Sequence, residues 1–132
     1  MESIDLSTRS RTEMIDVTRQ VSECVRRSGV KEGACVVFVP HTTAAVTINE
    51  GADPSVKSDV MNLLNHVVPF EAMYLHTEGN SAAHIKSTLV GVSRTIPVEG
   101  GSLALGTWQS IFFCEFDGPR RRKLHVSVLE KA

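Results

Sequence analysis

No stretch of this 132-residue chain approaches the uninterrupted apolar length of a bilayer-spanning helix, and its opening residues, MESIDLSTRSRTEMID, are polar throughout. No membrane partner is expected, and the location expected is cytoplasmic. Charge of one sign is also missing: the formal net charge is −1, which leaves no global field for a nucleic acid or an anionic surface, so electrostatic recognition must come from local clusters. Cysteine is sparse and odd in number. Cys24, Cys35 and Cys114 lie far apart without a C-x-x-C pair, which argues against a disulfide framework and fits buried thiols in a reducing compartment. There is no Walker loop, no G-x-G-x-x-G, no G-x-S-x-G elbow and no zinc-ribbon spacing, and the common nucleotide and hydrolase mechanisms lose support accordingly.

What is present is the make-up of one ordinary domain, residues 1–132, with 42% hydrophobic and 22% charged residues and no repeat or linker. SIDLST alternates as an edge strand does. Ser10 with Glu13 fits a capping box, and Met14, Val17, Val21, Cys24 and Val25 recur at helical spacing up to Gly29, which predicts a helix over about 11–28. ACVVFVP and AAVTIN read as strands with His41 between them. Asp53-Pro54 opens a second helix, and SAAHIKSTLVG reads as a short third helix closed by Gly91. The remainder, VSRTIPV, SLALGTW, QSIFFCEF and KLHVSVLE, is β. The expectation is an α+β domain: a largely antiparallel or mixed sheet with two main helices and one short one.

Polar residues gather at the ends of these elements, where a scaffold displays functional groups: His41, Thr42 and Thr43 after one strand, Asn49 and Glu50 before a helix, His76, Glu78 and Asn80 in the central loop, then His84. Taken singly, each has an ordinary explanation. A lone His41 is more often a turn partner than a ligand, Asp53 is a helix cap, and Asn49 and Asn80 are able to hydrogen-bond their own turns. His76 and His84, with His41 as a third imidazole, also have the chemistry of a metal site, although H-x7-H is no specific signature. Glu78 is then a fourth ligand, a general base or a solvated acid. In QSIFFCEF a period of two puts Gln109, Ile111, Phe113 and Glu115 on one face, so Glu115 must meet solvent or pair with a cation such as Arg120 or Arg121. The Arg120–Arg122 run fits either a phosphate clamp or a solvated surface, and Trp108 either packing or base stacking.

Three blocks, HTTAAVTINEGADPSVKSD, YLHTEGNSAAHIKSTLVG and LALGTWQSIFFCEFDGPRRR, together resemble the YjbQ family, an uncharacterised protein family also called secondary thiamine-phosphate synthases, over nearly the whole chain. The resemblance implies a compact homotrimer with a polar cleft near the subunit boundaries. It implies catalytic roles for His41, Glu78 and Glu115, substrate contacts from Thr42, Asn49, Lys86, Gln109 and Arg121, and a metal on His41, His76 and His84. The implied reaction joins a pyrimidine pyrophosphate to a thiazole phosphate and releases pyrophosphate. Magnesium suits that leaving group, whereas three imidazoles favour zinc. The expectation is therefore an enzyme acting on a small phosphorylated substrate, with the synthase as a side activity. A trimeric metal- or phosphate-binding module without turnover is the alternative.

Overall fold

The computed structural model describes residues 1–132 as eight strands and three helices. In chain order these are β1 (Glu2–Ser7), β2 (Glu13–Asp16), α1 (Thr18–Ser28), β3 (Gly33–Phe38), β4 (Ala44–Glu50), α2 (Pro54–Val67), α3 (Ser81–Val90), β5 (Ser93–Glu99), β6 (Ser102–Leu103), β7 (Gln109–Glu115) and β8 (Arg121–Glu130). Five strands form one sheet in the order β1-β8-β3-β5-β6, and three form a second in the order β2-β7-β4. Every pairing is antiparallel.

Alternation along the strands sorts the side chains into two cores. Ala44 and Val46 of β4, Ile111 and Phe113 of β7, Cys35 and Val37 of β3 and Leu124 and Val126 of β8 fill the space between the sheets, with Val21, Cys24 and Val25 of α1. The opposite parity, Ala45, Phe112 and Cys114, faces α2 and α3 with Met61 and Ala83. The small sheet is thus covered on both faces, which is why SIFFCEF reads as a continuous apolar run instead of an alternating one.

The first predicted helix begins later than its periodicity implies. Residues 13–16 are β2, paired with β7, and α1 starts at Thr18. Met14 continues the helical spacing but packs in the core beneath α2 and α3, whereas Val17, Val21 and Val25 pack between the sheets. Half of the capping box does form: Glu13 accepts hydrogen bonds from the backbone N–H groups of Arg9 and Ser10 at 2.6 and 2.9 Å, but it braces a turn. SLALGTW contributes only the two residues of β6, and Trp108 is exposed, so packing in the core is not its role. Elsewhere the punctuation works as expected. Asp53 accepts from Ser55 N–H at the start of α2, and Gly29 ends α1 at φ 71°. No helix is long and apolar enough to cross a membrane.

Candidate functional site

Where β3 and β4 are joined, β8 begins and α3 runs past, a cleft of about 1030 Å³ opens to solvent. One face of α3 forms a wall, because Asn80, His84, Thr88 and Gly91 follow at helical spacing. The β3–β4 turn contributes His41, Thr42 and Thr43, the central loop His76 and Glu78, and the β7–β8 turn Asp117 and Arg120. All three predicted imidazoles therefore border one cleft, with Thr42 and Glu78 beside them.

Their relations are specific. The rings of His76 and His84 lie edge to face with centroids 5.3 Å apart, and Glu78 Oε2 is 3.8 Å from His76 Nε2. His41 Nε2 accepts the backbone N–H of Lys123 at 2.9 Å, a donor left over because β3 stops pairing with β8 at the Phe38–His125 step. That bond puts the hydrogen of the neutral ring on Nδ1. Burial lowers the pKa of His41, and the nearby Arg122 charge lowers it further. His41 Nε2 is engaged by the Lys123 N–H, and no group of three or more His, Cys, Asp or Glu side chains of the single chain stands close enough together to hold a metal ion.

Glu115 and Arg122 form the charged floor of the site. Arg122 shares the parity of Leu124 and Val126 on β8 and so turns inward, where Glu115 arrives with the parity of Ile111 and Phe113 on β7. Both are buried. Arg122 Nε donates to Glu115 Oε1 at 2.8 Å, and Nη2 bonds Glu115 Oε2 and the Thr43 hydroxyl. Thr8 Oγ1 and the Asp117 N–H complete the carboxylate's partners at 2.7 and 3.0 Å. Burial raises the carboxyl's pKa, but the hydrogen bonds from Arg122, Asp117 and Thr8 outweigh it and hold the pKa below its ordinary value. The expected acid/base role of Glu115 is thus replaced by a structural one: a saturated carboxylate fixes Arg122, whose edge lines the cleft. Its partner is neither Arg120 nor Arg121.

Other predicted residues lie elsewhere. Arg121 points outward from β8 into a smaller neighbouring cavity of about 430 Å³, which shares His41 and Arg122 with the main cleft. Lys86 is buried on α3 and faces α2, where Nζ donates to Asn65 Oδ1 at 2.6 Å and sits 4.2 Å from the Phe70 ring centroid. It does not reach the cleft. Asn49 and Gln109 sit near the far ends of paired β4 and β7, and Asn49 is about 17 Å along its strand from Ala44, by five residues of strand rise. Gln109 accepts from the Gly106 N–H. Within one chain they take no part in this site. Sequence reasoning missed Ser87, Thr88 and Asp117. For the first two the signal was their place on the helical face of His84 and Gly91.

A family model described as UPF0047 protein YjbQ-like matches residues 2–131. The chain belongs to the YjbQ family. The UPF0047 protein YugU of Bacillus subtilis is 47% identical over 130 residues, covering 98% of each chain. The UPF0047 protein MJ1081 of Methanocaldococcus jannaschii is 52% identical over 124 residues, which cover 94% of this chain and 90% of that protein. The crystal structure of an uncharacterized conserved YjbQ/UPF0047 protein from Clostridium acetobutylicum superimposes with a TM-score of 0.97 at 50% identity, covering 98% of this chain and 100% of that one. A protein of unknown function from Sulfolobus solfataricus gives 0.95 at 36% identity, covering 98% and 96%.

Proposed function

We propose that the cleft is the active site of an enzyme acting on a small phosphorylated molecule, with secondary thiamine-phosphate synthase chemistry as one of its activities. The observation that carries this reading is that imidazoles from three separate segments meet Arg120 and a buried, fixed Arg122 in one open cleft. Displacement of a phosphate or pyrophosphate needs positive charge on the leaving group and a group that passes protons. Guanidinium groups supply the first and His84 and His76, with Glu78 beside them, the second. Arg121 extends the cationic rim into the adjoining cavity.

A homotrimer is part of the same proposal. Trp108 stands exposed, and the outward face of the five-stranded sheet carries exposed Phe38 and Leu129 with no helix over it. Apolar surface of this kind fits subunit contacts.

The test is thiamine phosphate formation from the pyrimidine pyrophosphate and thiazole phosphate by purified protein, with and without chelator, beside a His84→Ala variant. Loss of a proton-transfer group lowers turnover by roughly 100-fold or more. A variant as active as the parent removes His84 from the chemistry. Saturable binding of substrates without product leaves a binding module. A chelator-sensitive rate makes a metal part of the chemistry.

A further inference from the structure

The cleft and its smaller neighbour differ in chemistry although they share His41 and Arg122. In the main cleft Arg122 is held by Glu115 and Arg120 is paired with Asp117 at 3.2 Å, while Glu78 adds a further carboxylate. In the side cavity Lys123 is likewise paired, with Asp5 at 2.7 Å, and Arg121 has no carboxylate partner. An anion gains more from the second than from the first.

The main wall is rich in acceptors. Ser87 Oγ donates its proton to the Ala44 carbonyl at 2.7 Å, and Thr88 Oγ1 donates to the His84 carbonyl at 2.9 Å, so what both hydroxyls have left to offer is lone pairs. Asn80 Nδ2 is fixed on Asp117 Oδ2 at 2.9 Å, which sets the amide's orientation and leaves Oδ1 as the one buried side-chain polar atom in the protein without a partner. With the carboxylates of Glu78 and Asp117, this surface calls for a ligand that brings hydrogen-bond donors, which hydroxyl groups supply. Phosphate oxygens bring none, and neither does the carbon edge of a heteroaromatic ring. Phe38, the only phenyl ring on the wall, already has one face stacked on His125, with centroids 6.4 Å apart.

Building on the phosphate-site reading above, we infer that the substrate is a phosphorylated polyhydroxy compound. Its hydroxyl-bearing body lies against Asn80, Ser87 and Thr88, and its phosphate lies across His41 toward Arg121 and Lys123. His41 lines both cavities, and with Nε2 accepting from Lys123 its Nδ1–H is left to donate to such a ligand.

The test is calorimetric binding of four probes to the intact protein: inorganic phosphate, ribose, ribose 5-phosphate and the thiazole phosphate of the synthase assay. Ribose 5-phosphate is expected to bind at least tenfold more tightly than each of the others, through several added hydrogen bonds. Thr88→Val, at an exposed helix position, should weaken ribose 5-phosphate about three- to tenfold and leave inorganic phosphate unchanged, the loss of one hydrogen bond. Arg121→Gln, at an exposed strand position, should weaken both about tenfold or more, the loss of a charged contact. Equal affinity for inorganic phosphate and ribose 5-phosphate, or tighter binding of the thiazole phosphate, overturns the polyhydroxy claim while the phosphate site stands. Insensitivity to Arg121→Gln overturns the placement of the anion. If no phosphorylated probe binds, the proposed function falls as well.

Discussion

Glu115 and Arg122 are two charges enclosed by a core that would expel either one alone. The pair persists because every strong acceptor and most donors are met, and removing one charge strands the other. Glu115→Gln is therefore expected to cost about 3–5 kcal/mol in denaturant unfolding, the range for breaking a buried pair. The same change should weaken phosphate binding, since Arg122 loses the group that aims it. His41 carries a pH signature. Its folded pKa lies below the ordinary 6.5 because of burial and Arg122. The unfolded chain thus takes up this proton first as pH falls, and stability is full above 6.5 and declines below it. His41→Gln, which keeps an acceptor for the Lys123 N–H, should flatten that part of the decline in unfolding measured from pH 7.5 to 5. At this scale the sequence was legible in part. The imidazoles and Glu78 were evident from their position at element ends, but pairing Glu115 with Arg122 required the parity of β8 to be read from Leu124 and Val126 backwards.

Elements decide what a residue can reach. Lys86 and His84 are two positions apart on α3, so one faces α2 and the other the cleft. Within a helix only tertiary packing reveals which face is which, and for Lys86 the sequence offered an equally good phosphate ligand. Its actual setting has a measurable result. Burial, with Arg11 nearby, brings the Lys86 pKa down to about 8 from 10.5. Between those values the unfolded chain holds a proton that the folded one has released, so stability rises with pH across this window and is flat below it with respect to this group. Lys86→Met should abolish that rise in denaturation curves taken from pH 7 to 10. The late start of α1 has a similar origin. Met14 satisfies the periodicity of the helix, yet the partner that decides its conformation is Cys114 of β7, a hundred residues away in sequence. Caps and turns were legible because Asp53, Gly29 and Gly91 act on their immediate neighbours. Strand pairing, being non-local, was not.

For the whole molecule, the class of fold and the single-domain organisation followed from composition, capping signals and hairpin spacing, but the division into two sheets did not. Nothing local distinguishes β4, which enters the small sheet, from β3, which enters the large one. The uncovered outer face and exposed Trp108 have a consequence at this scale. Light scattering of the purified protein should give three times the 14.4 kDa chain mass, and Trp108→Glu should shift it toward the monomer. A monomer for the parent protein would remove the trimer from the proposal. If the trimer forms, Asn49 and Gln109, which are remote from the cleft along their own strands, become testable as contributors to a neighbour's site through the synthase assay on the corresponding alanine variants.

The large sheet has one further property. Its second strand is the last to be made: β8 lies between β1 and β3, and Glu2 and Gly33 pair with Val126 and Glu130 respectively. During synthesis β1 and one edge of β3, whose other edge pairs with β5, lack their partner until the carboxyl-terminal segment leaves the ribosome. A chain stopped at residue 120 lacks that bridging strand and Arg122 together, so an incomplete copy has neither β1 joined to the rest of the sheet nor the fixed guanidinium beneath the cleft.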